Sequence, residues 1–578
     1  MVLFDGGATM AYFLKKSNLK KGLYLQIYES FYNPEKKQTS HRAHKALGYA
    51  SRLMDEGIAD PVAYFSLVVE QMNADAKAEK AQVRQIEASP DKYVGYFLAK
   101  ASFDALRVER YMNFLQLHRD FKFSICKLLE ALVYSRLLEP CSKSKTSQEV
   151  IPALFERYEF SYDQILDGVE FIGSEYEKII EIFNHQINAL YPFDTSTTYF
   201  DGTNYYFEID KEDDLRRKGP SKENKKDPIV GMGLLLDARQ IPVGMKLHPG
   251  NESEKPVARE IVADLKARGN ITGRTVQVAD KGINCAKNIL EARRNGDGYI
   301  FTKSVKQLPK TEKTWVLLPD GFTDVRDEEG KLLYRYKECV DKFPYTHEAE
   351  DGKRVSIQLT EKRVVTFSPK LAKKKRQEIL RMVEKAKALS TSKAKRDEYG
   401  ECGKYVNFTP ADKKGNATSG KVVTSINEKA IEEDLSLAGF NLFVTSEIKM
   451  KAPDIYSTYR NLWVIEECFR ILKSYLDARP VFLQKPNSIY GHFLICYLSI
   501  VLLRVLQFNV FDSAFCSQRI LEYMKKFKVV QVSHNKYINL TPSSTFVKTL
   551  AKEQMLPLTN YFLSNADIKK VLAHKFRA

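Results

Sequence analysis

With 578 residues, 44% of them hydrophobic and 11% aromatic, the chain is several times the size of a typical domain, and its apolar content excludes a disordered basic tail. Lys and Arg outnumber Asp and Glu by 90 to 73, a formal +17. A surplus of that sign attracts polyanions through phosphate neutralisation and counterion release, although anionic membranes and plain solubility compete as explanations.

The eight cysteines are scattered with no CxxC pair, so they read as reduced thiols rather than metal ligands or a disulfide framework. The opening MVLFDGGATMAYFLKK has no basic stretch followed by a long apolar run, and a cytoplasmic location is expected. Residues 11–48 alternate aromatic and polar positions around the loops SNLKKG and NPEKKQTSH, which predicts a small lysine-rich β-hairpin module. From about 60 to 190 the period turns helical, as in SICKLLEALVYSRLLEP, where Pro140 stops the helix.

Between Thr197 and Lys303 the pattern changes again. A strand TTYFDGTNYYFEI leads into a hairpin IVGMGLLLDARQIPVGMKLHPGN and a helix EKPVAREIVADLKARG. A buried strand TVQVAD, a helix INCAKNILEARRNG and a strand GYIFTK follow. That order fits a ribonuclease H-like α/β sheet. Beyond Lys303, WVLLPDGFTD, KLLYRYKECV and KRVSIQLTEKRVVTFS read as strands, and Pro369 to Arg396 holds eleven Lys or Arg against two Glu. This basic stretch is either a solvated helix face or a phosphate-tracking surface, with Lys373, Lys374, Lys375 and Arg376 as its densest cluster. Strand character returns at GFNLFVTSE, and a long helix is expected from about Ala452, so 304–438 reads as an insertion. The run Ile489 to Phe508 has the length and apolarity of a membrane span, but Gly491, His492, Ser499 and Arg504 interrupt it, and a buried core helix is expected instead.

Three carboxylates carry the chemistry. Asp201 lies inside an aromatic and β-branched strand, where a charge costs free energy unless something pairs with it, and a divalent metal is one such partner. Asp280 ends the strand TVQVAD, at the kind of strand end where α/β sites collect. For each aspartate taken alone, a strand-end turn or helix cap is the more ordinary explanation. Glu466 sits in YRNLWVIEECFRILKS, and at 3.6 residues per turn Tyr459, Arg470 and Lys473 share its face. An ordinary surface pair between Glu466 and Arg470 would explain part of that pattern.

These residues resemble the DDE transposases of bacterial insertion sequences, in particular the insertion-sequence-four type with a β-strand insertion in the catalytic domain, whose glutamate helix carries Y-x2-R-x3-E-x6-K. Tyr459, Glu466 and Lys473 match that spacing, Leu462 stands at the arginine position, and Trp463 and Ile465 fit the W-x-I-E pattern. The blocks YFDGTNYYFE, GLLLDARQIPVGMKLHPGNESE, VADKGI, LDARPVF and IYGHFLICYLS extend the resemblance over about 195 to 510.

The resemblance implies an α/β protein with a ribonuclease H-like catalytic core at 195–303 and 439–510, interrupted by a β-rich, basic insertion at 304–438. An N-terminal β-hairpin module at 1–75 and a helical domain at 76–194 would bind the terminal repeats, and 511–578 would serve dimerisation. Asp201, Asp280 and Glu466 would hold two Mg²⁺ or Mn²⁺ ions. Tyr459, Arg460, Trp463, Arg470 and Lys473 would contact DNA. The implied partners are the double-stranded terminal inverted repeats, target DNA and a second copy in a homodimer, with no membrane. Two competing readings are a transposase-derived DNA-binding protein without catalysis, which Leu462 makes conceivable, and a ribonuclease H-like nuclease that cleaves without strand transfer.

Overall fold

The computed structural model describes residues 9–33, 38–82, 91–220, 227–348, 352–391, 396–410 and 422–576. Two units divide the chain, Met1–Pro90 and Asp91–Ala578. In the first, the alternating N-terminal pattern forms three antiparallel strands rather than a two-stranded hairpin: β1 (Thr9–Leu19), β2 (Gly22–Asn33) and β3 (Gln38–Tyr49). Two register shifts in the β2–β3 ladder blur the alternation of β3, which hid this strand from a period-two reading. Helices α1 (Ala50–Asp55) and α2 (Pro61–Gln82) follow.

The second unit opens with a short strand, β4 (Asp91–Tyr93), and a helical stretch as expected. Its members are α3 (Phe97–Leu106), α4 (Glu109–Gln116), α5 (Ile125–Leu138), the short turns α6 (Lys143–Lys145) and α7 (Ile151–Ala153), α8 (Tyr162–Ser174) and α9 (Tyr176–Leu190). The expected strands and helices then appear in order. They are β5 (Thr197–Tyr206), β6 (Ile229–Leu236), β7 (Pro242–Pro249), α10 (Glu254–Ala267), β8 (Val276–Ala279), α11 (Ala286–Arg294) and β9 (Gly298–Lys303).

The segment after Lys303 is mixed rather than mainly β. Trp315 lies in a helix, α12 (Lys310–Leu317), where a strand was expected. Pro309 stands at its N-cap, Val316 is buried, and Glu312 pairs with the buried Arg363, so tertiary contacts override the strand propensity of WVLL. Strands β10 (Thr323–Arg326), β11 (Leu332–Glu348) and β12 (Arg354–Phe367) come next, and the basic stretch is one helix, α13 (Pro369–Thr391). Lys393 and Lys395 of that stretch lie outside the described residues. A two-stranded ladder, β13 (Val406–Pro410) with β14 (Val422–Ile426), and α14 (Glu428–Ser436) precede β15 (Phe440–Thr445).

Nine strands form one sheet in the order β10-β11-β12-β15-β9-β8-β5-β6-β7. Strands β5, β8 and β9 are parallel, and the other pairings are antiparallel. Alternation assigns the two faces to two cores: Tyr199, Val278, Ile300 and Phe443 join the larger one, and Phe200, Ala279, Phe301 and Leu442 join the one under α10 and α11.

The expected long helix from Ala452 is two helices, α15 (Ala452–Arg460) and α16 (Trp463–Ser474). They meet in a tightened turn, where the N–H groups of Leu462, Val464 and Ile465 donate to carbonyls three residues back. Helix α17 (Pro486–Val505) is the apolar run, and it is buried inside the chain along nearly its whole length, as expected of a core helix. Two of its buried polar side chains are paired within the chain: His492 reaches the Ala478 carbonyl at 3.0 Å, and Ser499 donates to the Ile495 carbonyl. Gly491 lets it press on α8, since a Cβ there would come within 2.0 Å of the Val169 carbonyl oxygen. The chain ends with α18 (Ser517–Lys526), β16 (Lys528–Ser533), β17 (Lys536–Asn539), α19 (Thr545–Gln554), β18 (Phe562–Leu563) and α20 (Asn565–Leu572). Its strands build a sheet β18-β17-β16-β4 whose helices join the larger core.

Candidate active site

The two aspartates are brought together by strand register. In the parallel pair β5–β8, Thr197 stands opposite Val276 and Phe200 opposite Ala279, so the next step along each strand brings Asp201 beside Asp280. Neighbouring strands lie about 4.8 Å apart. Two residues back, Tyr199 and Val278 face the larger core, so period two aims both carboxylates at the side where α15, α16 and α17 pack. Both aspartates are half-buried. Asp201 Oδ1 accepts the Gly202 N–H at 2.8 Å, and Asp280 Oδ1 accepts the Gly282 N–H at 2.7 Å. Asp280 therefore also makes the strand-end turn that its position suggested.

The third carboxylate approaches from the helices. Tyr459 closes α15 against Phe443 of β15, with ring centroids 4.9 Å apart, and its hydroxyl is 3.3 Å from Thr302 Oγ1 at the end of β9. Burial is the main cause that pushes its phenol up to about 12, and the charges of Asp280, Asp201 and Glu466 push the same way. One hydroxyl thus senses all three carboxylates. Asn461 donates to the Tyr199 hydroxyl at 3.4 Å and pins the turn between α15 and α16 onto β5.

Helix α16 is oriented by Glu467, whose Oε2 meets Arg504 of α17 at 2.9 Å, with Arg504 fully buried. Its neighbour Glu466 is consequently exposed. Arg470 pairs with Glu467 at 3.6 Å rather than with Glu466, and its side chain is 64% exposed. Lys473 lies 5.4 Å from the Tyr205 ring centre, over β5. Arg460 stands 5.8 Å from the Tyr456 ring, Trp463 is exposed, and Leu462 is buried in the larger core as a packing residue. The break at 461–462 corrects the single-face expectation: Glu466, Arg470 and Lys473 belong to α16, while Tyr459 reaches the same place from α15.

Lys373, Lys374, Lys375 and Arg376 are exposed on α13, with Lys375 paired to Glu378 at 2.9 Å. Helix α13 packs through Ile379 and Val383 onto Tyr405 and Ile431, a small core separate from the two that flank the sheet. Sequence reading passed over Thr302, Asn461 and Arg479. Thr302 was legible, because alternation in GYIFTK puts it on the face of Ile300. Arg479 sits in the quoted block LDARPVF, with its guanidinium 5.0 Å from the Tyr206 ring. Only the fold could bring it to β5.

Among the described residues, no three His, Cys, Asp or Glu side chains are grouped closely enough to hold a metal ion. Like charges at about 4 Å repel by roughly 1–4 kcal/mol per pair at the dielectric of a protein surface. By that repulsion three carboxylates tend to separate, and Glu466 is the one turned toward solvent.

No curated protein matches the chain. The family described as Transposase DDE domain matches residues 193–502, more than half the chain and the span from β5 through most of α17. By that match, the chain belongs to the DDE transposase family.

Proposed function

We propose that the chain is the transposase of a bacterial insertion sequence of the insertion-sequence-four type, cutting the element's DNA ends and joining them to a target, with Asp201, Asp280 and Glu466 as its catalytic carboxylates. The observation that carries this reading is the parallel register that sets Asp201 beside Asp280, on the sheet face where the Tyr459 hydroxyl senses both aspartates and Glu466. Strand order supports it as well. Taken as β7-β6-β5-β8-β9, with the first three antiparallel and β8 and β9 parallel to β5, the strand order supports reading this part of the sheet as a ribonuclease H-like core. Residues 304–438 are then the insertion between its two parts.

The donor set is one of hard carboxylate oxygens, which suits Mg²⁺ or Mn²⁺, with Asp201 and Asp280 as the adjacent ligands and Glu466 as the third. Two such ions, when bound, would stabilise the attacking and leaving oxygens of an in-line phosphoryl transfer. The chain's own residues do the rest. Glu467 and Arg504 hold α16 so that Glu466 projects outward, and Lys473 and Arg470 offer cations to the DNA phosphates on either side of the cut. Tyr459, with its phenol held neutral, orients by hydrogen bonding through Thr302 and does not act as a base. A second copy would complete a synaptic homodimer around two ends.

The test is end cleavage and joining by Asp201→Asn, Asp280→Asn and Glu466→Gln proteins in Mg²⁺ or Mn²⁺. Each is expected to lose on the order of 10³-fold or more in cleavage while still binding DNA. Parent-like cutting by any one of the three would remove that residue from the site. Cleavage without joining would favour a nuclease.

A further inference from the structure

The sheet β1-β2-β3 has two unlike faces. Its register puts Tyr12, Leu14, Leu25, Ile27 and Glu29 on one side. There Leu25 and Ile27 are buried with Leu53 of α1 and Val69 of α2, and the Asn73 amide of α2 bonds both the N–H and the carbonyl of Tyr12. The same register puts Phe13, Lys15, Tyr24, Gln26, Tyr28 and His41 on the opposite side. Phe13 lies 5.9 Å from Tyr28 and 5.1 Å from His41 between ring centroids, and Lys15 Nζ is 4.4 Å from the Tyr28 ring centre. Lys15 and His41 are exposed.

The charge of this sheet is one-sided. The face of Phe13 and the β1–β2 turn carry Lys15, Lys20 and Lys21 and no acid; Lys16, Arg42 and Lys45 lie on the helix-packed side with the sheet's single acid, Glu29, which is buried and paired with Arg42. Three strands at about 4.8 Å spacing span roughly 10 Å from the first to the third, and a B-form major groove is about 12 Å wide. Eleven- and twelve-residue strands run about 37–41 Å, the length of about one duplex turn. The rings on this face are engaged with one another and with Lys15, which leaves their polar tips, rather than open ring faces, to a ligand. Single-strand binding relies on open ring faces for stacking. Base edges in a groove need hydroxyls, amides and imidazoles, as Tyr24, Tyr28, Gln26 and His41 supply.

We propose that this face is the surface with which the protein reads duplex DNA sequence, set into the major groove, with Lys15, Lys20 and Lys21 on the flanking phosphates. The inference rests on the reading of the chain as a transposase that acts on specific DNA ends, and adds which surface selects them.

The test is in vitro selection by the full-length protein from a randomised duplex pool of roughly 30 base pairs, without divalent metal. A Lys15→Gln/Gln26→Ala/His41→Ala protein is run in parallel, with circular dichroism to confirm its fold. A Tyr28→Phe protein, which loses only one hydroxyl, serves as a second probe. The parent is expected to enrich a common motif. The triple variant is expected to bind that motif about ten- to a hundredfold more weakly, with a much smaller loss on unrelated duplex. Enrichment of the same motif with unchanged affinity by both variants would overturn the proposal, as would a parent that enriches nothing or prefers single strands. If the triple variant selects normally but loses self-association in sedimentation, the face belongs to a second copy of the chain. Selection without metal does not call on the carboxylates. Failure here with intact Mg²⁺ cleavage therefore rejects the face, and failure of cleavage with intact selection rejects the carboxylate assignment.

Discussion

At the scale of residues, the two aspartates of the sheet are where the proposed metal site is tested. Asp201 and Asp280 stand side by side on neighbouring strands, half-buried, with Glu466 near enough for all three to act on one phenol. A cation that binds the folded state alone should relieve this repulsion and raise the melting temperature by mass action, about 2.7 kcal/mol at a hundred times its dissociation constant. Mn²⁺ titrated against thermal unfolding should therefore stabilise the parent, and the effect should be largely lost in Asp201→Asn and Asp280→Asn. An undiminished shift in both variants would place the bound metal elsewhere. Lys143 offers a second residue-scale test. It is buried, and burial, with Arg136 beside it, brings its amine down to about 7 from the ordinary 10.5. Between those values the unfolded chain keeps a proton that the folded chain has shed, so stability rises with pH across the window, and below about 7 the full cost remains. Lys143→Met should thus stabilise by a few kcal/mol at pH 7 and by far less near pH 10, read from urea midpoints. Equal gains at both pH values would show that packing, not charge, is the cause.

At the scale of elements, α16 is the piece whose aim matters most. Its inner face is held by the pair of Glu467 with the fully buried Arg504 of α17, and Arg504 also donates to Gln507 at 2.8 Å. Arg504→Met should cost about 2–3 kcal/mol, less than a fully buried pair would, because Glu467 keeps Arg470 and some water. It should also lower end cleavage, since α16 carries Glu466. A Glu467→Leu/Arg504→Met double variant should recover most of the stability but not the cleavage. Recovery of both would mean that the pair does not aim the helix. Elements also show where local reading stops. The Y-x2-R-x3-E-x6-K spacing identified the helical region, yet the turn at Asn461 and Leu462 is created by contacts with β5 and β9, residues more than 150 positions earlier, and no helical period encodes it. WVLL became the end of α12 for the same reason, because its helix is fastened by Glu312 to Arg363.

At the scale of the whole molecule, the +17 surplus is concentrated in places, and α13 is the densest of those in the second unit. Replacing Lys373, Lys374, Lys375 and Arg376 with Gln should weaken binding to every duplex alike and flatten the plot of log affinity against log salt, by roughly 0.9 per lost phosphate contact. An unchanged slope would leave α13 as a solvated face. The order of β5 to β9, the two aspartates at their strand positions and the buried nature of α17 were all legible in the sequence, because apolar runs, turn residues and period are local properties of a short segment. The joining of β12 to β15 across some 75 residues was not legible, nor the pairing of β4 with β16 across more than 430, nor the third N-terminal strand with its shifted register. The sequence by itself determined which residues could form strands and helices and which carboxylates stood at chemically suggestive positions. Only the tertiary structure decided that Asp201 and Asp280 are neighbours, that Tyr459 and Glu466 come from different helices and that Arg479 lies over β5. Those outcomes depend on which distant backbone hydrogen bonds and apolar faces close together, and that choice is made by the chain as a whole.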